Sequence, residues 1–299
     1  MKTYKFALLT AFITLSFAVA AQDYAFKVLA NKGSNEVKSG ETWQPLKTGA
    51  ALKSNDEVRL SDDAYIGLVH ISGKPVELKQ AGVHKVSVLE SKVNTGSSVL
   101  NKYTDFILSS NSADAKKNSM SATGAVHRGE PDSSPINIFL PEKDFSGIFN
   151  STAIINWEAG KVPGPYVVTV INMFEDVLVK EETSATTYEV DLSDEKFANE
   201  TAVLITVSAK ADPKLISKQH MIKKLSPAEV ERISNDIKAI KGEMSEESAM
   251  NKVVLAGFYE QNNLLIDAIY AYEQAVKLEP EVTDFKESYE QFLERNQLK

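Results

Sequence analysis

Four histidines, His70, His84, His127 and His220, are the side chains best suited to bind a metal or move a proton near neutral pH. They are scattered along the chain, no two stand one helical turn apart, and there is no cysteine to complete a ligand set. Metal centres built from His and Cys need clustered ligands, so each histidine is expected at a surface or structural position. The chain also carries no G-x-S-x-G elbow, no phosphate-cradling P-loop and no dinucleotide-binding glycine pattern. These absences predict a protein with no catalytic residues, no metal and no cofactor.

Carboxylates are the remaining reactive groups. His127 to Asp132, "HRGEPD", sets two acids beside Arg128, while "LSDDAY" (60–65) and "VDLSDEKF" (190–197) carry acidic pairs. A glycan hydrolase would need two such acids meeting in one cleft, and a calcium loop would need regularly spaced oxygen ligands. Neither acidic pair has the regular calcium-loop spacing, and nothing beyond the abundance of acids supports a hydrolase, so a solvated loop with a local salt bridge at 127–132 and turns with hydrated carboxylates are the expectation. A Ser-His pair meeting in space would be the other hydrolase route.

The net charge of −8 makes the chain a poor partner for phosphate backbones, and no nucleic acid is expected. Two lysines in "MKTYK" precede the apolar run Phe6–Ala18 and the small residues Ala18-Val19-Ala20-Ala21. That is the layout of a cleavable signal peptide, assigned to 1–21. The run is too short to span a bilayer comfortably, so no membrane span is expected after cleavage. Loss of Lys2 and Lys5 would take the charge from −8 to −10. The missing cysteine excludes a lipid-anchored lipoprotein and structural disulfides. A periplasmic or secreted location follows.

Hydrophobic content of 43% suffices for well-filled cores. Residues 22–108 alternate short apolar runs with turn residues, among them "FKVLA", "DEVRL", "AYIGLVHI", "PVELK" and "HKVSVLE", which predicts an all-β domain. In "AYIGLVHI" the strand period places Tyr65, Gly67, Val69 and Ile71 on one face and Ile66, Leu68 and His70 on the other. Both faces are apolar, as in a strand packed on two sides. Residues 109–135 have linker composition, with a candidate edge strand or hairpin in "MSATGAVHRG". Residues 136–212 bring six or seven further short strands, the spacing of a sandwich, with Trp157 and Tyr166 as core aromatics on neighbouring strands.

The period changes in 213–299. Ser226, Pro227 and Glu229 form a helix-start signal, and Val230, Ile233, Ile237 and Ile240 make one apolar stripe. Further on, Leu255, Ala256, Tyr259, Ala268, Tyr272, Ala275 and Pro280 fall at offsets that resemble the tetratricopeptide repeat, a helix pair of about 34 residues. The likeness covers 249–280 and departs at Lys252, where the family has a large aromatic. A lone repeat cannot bury its own face, so the helix from Ser226 and the last helix, with Phe285, Tyr289 and Phe292 on one side, are expected to cap it. A short helical bundle packed on the sandwich is the alternative.

Trp43, Leu46, Gly49, Leu52, Asp56, Val58, Gly67, Leu68, Gly73, Val76 and Leu78 follow an order that resembles the FecR-like β-domain. The resemblance covers about Ser39 to Leu78 and implies an extracytoplasmic β-module, with Trp43 as its core anchor. Signalling members of that family also have a cytoplasmic helix and a membrane span; neither is expected in this chain unless its signal stays uncleaved. Trp157, Gly160, Tyr166, Val168 and Val170 are similar in arrangement to immunoglobulin and fibronectin type III sandwiches.

The fold class read from the sequence is therefore multidomain: two all-β domains, FecR-like and Ig-like, followed by an α-helical TPR-like tail. The function it implies is a non-enzymatic scaffold or adaptor whose partners are envelope or cell-surface proteins. A ligand-sensing or signalling module acting through a concave site near Trp43 is the alternative, and a hydrolase a weaker third. For the scaffold, contacts are expected in a groove between the helices starting near Ser245 and Leu264, with Glu260, Asn262, Asn263 and Lys277 as exposed polar candidates.

Overall fold

The structure, a computed structural model, describes residues 24–93, 98–110, 134–141, 146–244 and 248–299. The signal segment 1–21, the candidate edge strand at 120–129 and the loop His127–Asp132 lie outside the described residues.

The first unit has eight strands: β1 (Phe26–Lys32), β2 (Glu36–Ser39), β3 (Thr42–Pro45), β4 (Ala51–Leu52), β5 (Glu57–Leu60), β6 (Tyr65–His70), β7 (Pro75–Leu78) and β8 (Gly82–Lys85). They form two antiparallel four-stranded sheets, ordered β4-β1-β6-β7 and β3-β2-β5-β8. Phe26, Val28, Leu52, Val58, Ile66 and Leu68, all fully buried, fill the space between them. As the period of two requires, Tyr65 and Val69 leave β6 on the opposite face and join a second, larger core. Asp56 closes the turn before β5 by accepting the Lys53 N–H at 2.8 Å.

Two expectations for this unit need correction. "HKVSVLE" is only half strand: the chain turns into α1 (Val86–Lys92), and α2 (Ser98–Ser110) follows within the region assigned as all-β and linker. The apolar steps Leu100, Tyr103 and Ile107 bury one face of α2 in the larger core. Trp43 is not a core anchor. It is half-buried on β3, with the Arg59 guanidinium 4.4 Å from the ring centroid and Glu36 pairing with Arg59 beside it.

The second unit comprises β9 (Asn137–Ile138), β10 (Gly147–Ile148), β11 (Thr152–Glu158), β12 (Tyr166–Asn172), β13 (Val177–Thr183), β14 (Thr187–Asp191), β15 (Ala202–Ala209) and β16 (His220–Lys224). A five-stranded sheet, β10-β16-β15-β12-β13, faces a three-stranded sheet, β14-β11-β9. Trp157 from β11 meets Tyr166 from β12 edge-to-face, with ring centroids 5.6 Å apart, so the two aromatics bridge the sheets. β16 carries the sandwich beyond residue 212, where a helical tail was expected to begin.

Four helices complete the chain: α3 (Pro227–Glu243), α4 (Ala249–Gln261), α5 (Leu265–Leu278) and α6 (Thr283–Arg295). Ser226 and Glu229 build the expected capping box on α3. α4 and α5 form an antiparallel pair, α6 packs on α5, α2 packs on α4, and α3 packs on α2. The cap expected from the Ser226 helix on the α4–α5 pair is thus supplied by α2. Gly257 permits the α2 approach, because a Cβ there would lie 2.7 Å from Ile107 Cγ1.

The helices are last in sequence and central in space. Toward the first unit, Tyr65 stacks edge-on against Phe285, Glu77 accepts the Met250 N–H at 3.0 Å, and Asp284 receives Asn31 N–H at 2.9 Å and Thr48 Oγ1 at 3.0 Å. A Cβ on Gly67 would sit 2.5 Å from Met250 Sδ, so glycine lets α4 rest directly on β6. Toward the second unit, α5 covers the outer face of β11, and Asp267 accepts the Phe149 and Asn150 N–H groups, each at 2.8 Å. From Ala249 to Glu260 only Lys252 escapes burial. A helix apolar on every side needs neighbours on every side, and here it has a sheet, α2 and α5 around it. No described helix is long and apolar enough to cross a membrane.

Candidate partner-binding cleft

The four candidates expected to gather in one groove do not. Glu260 is buried and forms a two-pronged ion pair with Arg295, Nε donating to Oε1 and Nη2 to Oε2 at 2.6 Å each, while Asn296 Nδ2 adds a third bond at 2.8 Å. It is an internal clamp between α4 and α6, and its expected exposure is corrected. Asn262 caps α4, donating to the Phe258 carbonyl at 2.9 Å and accepting from Arg232 at 3.3 Å. Asn263 is exposed in the α4–α5 turn, with φ of 57°, a left-handed conformation that asparagine tolerates. Lys277 is exposed near the far end of α5, about 20 Å along that helix from Asn263. The groove expected on the helix pair is filled by packing.

An open cleft lies elsewhere, between the three-stranded sheet and α5–α6, and Lys277 is on its lining. One lobe of about 520 Å³ runs between Tyr188 and Glu189 of β14 and Gln274, Lys277 and Lys286. A second lobe of about 220 Å³ continues past Trp157, Tyr289 and Glu290. Thr187 and Glu273 line both lobes and join them.

The floor between the lobes is held by hydrogen bonds. Asn156 points outward from β11, opposite to Ile155 and Trp157, and its Nδ2 donates to Glu273 Oε1 at 2.6 Å and to Tyr289 Oη at 3.0 Å. Burial, and then the charge of Glu273, push the Tyr289 phenol well above its ordinary range, so it keeps its proton. Tyr188 is pushed up to about 12, by burial first and then by Glu181.

β14 supplies the cleft with a free backbone edge. Among the described residues it pairs only with β11. The bonds Trp157 N–H to Thr186 O and Leu192 N–H to Ser151 O fix the phase of the ladder, so residues 186, 188, 190 and 192 bond inward. Thr187 and Glu189 therefore direct their backbone N–H groups away from β11. "TTYEVDL" reads as a strand in the sequence, but its edge position depends on which strand pairs with it, and no local signal carries that.

The most perturbed carboxylate is sealed away from this cleft. Burial pushes Asp267 up to about 6, against the opposing pull of its hydrogen bonds from Phe149 and Asn150. A raised carboxylate in a cleft would suit acid–base work, but Asp267 is completely buried and bonded to the protein through both oxygens. His70 Nδ1 lies 2.7 Å from Ser72 Oγ, and His84 Nε2 lies 2.8 Å from the Gln80 carbonyl; burial lowers His70. No group of three His, Cys, Asp or Glu among the described residues could hold a metal ion. No protein-family model matches the chain, and no curated protein matches it.

Proposed function

We propose that the protein is a non-enzymatic scaffold of the bacterial envelope that binds an extended segment of a partner protein along β14. The observation that carries this reading is the two-lobed cleft beside a strand edge that no described residue pairs with. An incoming strand takes main-chain hydrogen bonds from Thr187 and Glu189, and its alternate side chains enter the lobes. Lys277 and Lys286 on one wall, with Glu273 and Glu290 near the other lobe, give the site charges of both signs to set register.

The extracytoplasmic setting rests on the signal-peptide pattern of 1–21. The FecR-like reading of the first unit, the immunoglobulin-like reading of the second and the tetratricopeptide-like reading of α4–α5 belong to the same proposal. In support, the small residues Ala256 and Ala268 are fully buried in the α4–α5 pair, and Leu52, Val58 and Leu68 of the FecR-like pattern lie in the first core. In this reading the repeat-like pair serves to hold two β-units rather than to present a groove of its own.

Glu189→Pro tests the site. It removes an outward N–H and leaves the ladder to β11 intact. With a photo-crosslinker at Lys277 in the full chain, producing cells should yield a discrete protein adduct that the proline change reduces at least tenfold while thermal unfolding stays unchanged. An adduct indifferent to Glu189→Pro, or none at all, rejects strand addition.

A further inference from the structure

The hairpin joining β12 to β13 holds three apolar side chains in water: Met173 is 48% exposed, Phe174 84% and Val177 59%. The loop beneath them is tightly built. Asn172 is buried, and its Oδ1 accepts the N–H of Phe174 and of Asp176, both at 2.9 Å. Its Nδ2 donates to Asp176 Oδ2 at 3.1 Å and to Glu200 Oε1 at 3.4 Å. Two backbone bonds close the turn, Asn172 N–H to Asp176 O and Glu175 N–H to Asn172 O. Glu175 takes a φ of 70°, a conformation that costs a side-chain-bearing residue free energy and that glycine would adopt readily. Hydrogen bonds and strain are thus committed to a tip that leaves Phe174 almost wholly in water, with Met173 and Val177 about half exposed beside it.

We propose that this tip is a docking element that inserts Phe174 into an apolar socket of a protein partner, with Lys or Arg on the rim of the socket. The charge around Phe174 selects that occupant. Glu175 and Asp176 are exposed beside it, Glu200 flanks the base, and none of the three forms an ion pair among the described residues. Anionic lipid headgroups are recognised by basic side chains, the opposite of this rim. A second copy of the chain, at net charge −8, offers the same unfavourable sign. A basic-rimmed protein socket satisfies the phenyl ring and the carboxylates together, and an exposed aromatic held rigid loses little freedom on docking. The tip is separate from the β14 cleft, so the molecule carries two contact surfaces.

The test places a photo-crosslinking phenylalanine analogue at position 174 of the full chain in producing cells, with mass-spectrometric mapping of the crosslinked residue. The expected result is one discrete adduct whose crosslink site lies among apolar residues with Lys or Arg adjacent. It should fall at least tenfold with Glu175→Lys and persist with Glu189→Pro. Phe174→Ser should leave thermal unfolding unchanged, showing that the residue is not part of the core. Four outcomes would overturn the proposal: no protein adduct, an adduct only to a second copy, an adduct unaffected by Glu175→Lys, or Phe174-dependent binding of the purified chain to phosphatidylethanolamine–phosphatidylglycerol vesicles.

Discussion

Asp267 accepts the backbone N–H of Phe149 at 2.8 Å, joining the first turn of α5 to the connection between β10 and β11 of the second β-unit. Asn150 reinforces the joint through its own N–H and through Nδ2, which also reaches Tyr259 Oη at 3.1 Å. A sealed carboxylate in this position makes the joint sensitive to pH.

Burial places Asp267 at about 6, above the value of about 3.9 that it has in an unfolded chain. The folded state therefore binds the proton more tightly, and the stability this confers is fully present below about pH 4 and lost as pH rises through 6. The stability of the native chain relative to Asp267→Asn should thus fall by about 2 kcal/mol between pH 4 and pH 8. Urea unfolding of both proteins across that range measures it, and a difference that is flat or grows with pH contradicts it.

Glu260 and Arg295 test the internal clamp. Glu260→Gln leaves a largely buried guanidinium without its counter-charge and should cost about 2–4 kcal/mol in denaturant unfolding. The double change Glu260→Gln with Arg295→Met should cost less than the sum of the single changes, because the stranded cation is gone. Strict additivity would mean that the pair is not coupled.

Gly257 tests the approach of α2 to α4. In an open helix, Gly→Ala gains about 1 kcal/mol, but here the new Cβ would meet Ile107 Cγ1 at 2.7 Å and Cδ1 at 2.9 Å. Overpacking should win, giving a net loss of about 1–3 kcal/mol. With Ile107→Ala already present, adding Gly257→Ala should become neutral or favourable. A loss that persists in that background would place the cause elsewhere.

Much of the local structure was legible in the sequence, because it depends on neighbours in the chain. The two apolar faces of "AYIGLVHI", the capping box at Ser226 and the burial of Trp157 and Tyr166 as core aromatics all follow from period and residue type. Position in space was less legible. Trp43 and Trp157 look alike as lone tryptophans between turns, yet one lies half-buried under Arg59 and the other is in the core, because their sheets differ in what covers them. Glu260 reads as the polar end of a helix until Arg295, 35 residues later, folds back onto it.

One neglected signal did carry long-range information. "AMNKVVLAGFYE" has almost no polar face, and a helix of that kind belongs in the middle of a structure rather than in an outlying tail. Asp267, set among Leu265, Ile266, Ala268 and Ile269, was the matching sign of a buried acid that needs donors from another element. The cleft was the least legible feature, since it arises where β14 of one unit meets α5 and α6.

The central claim is that the C-terminal helices form one core with both β-units, so that the chain unfolds as a whole. Its two tryptophans report the units separately: Trp157 alone in Trp43→Phe, and Trp43 alone in Trp157→Phe. The deciding measurement is urea unfolding of each variant followed by tryptophan fluorescence and by helical circular dichroism. Coincident midpoints of the two signals within each variant are the predicted result. Fluorescence of either unit changing at a different urea concentration from the helix signal would show independent domains and contradict the account.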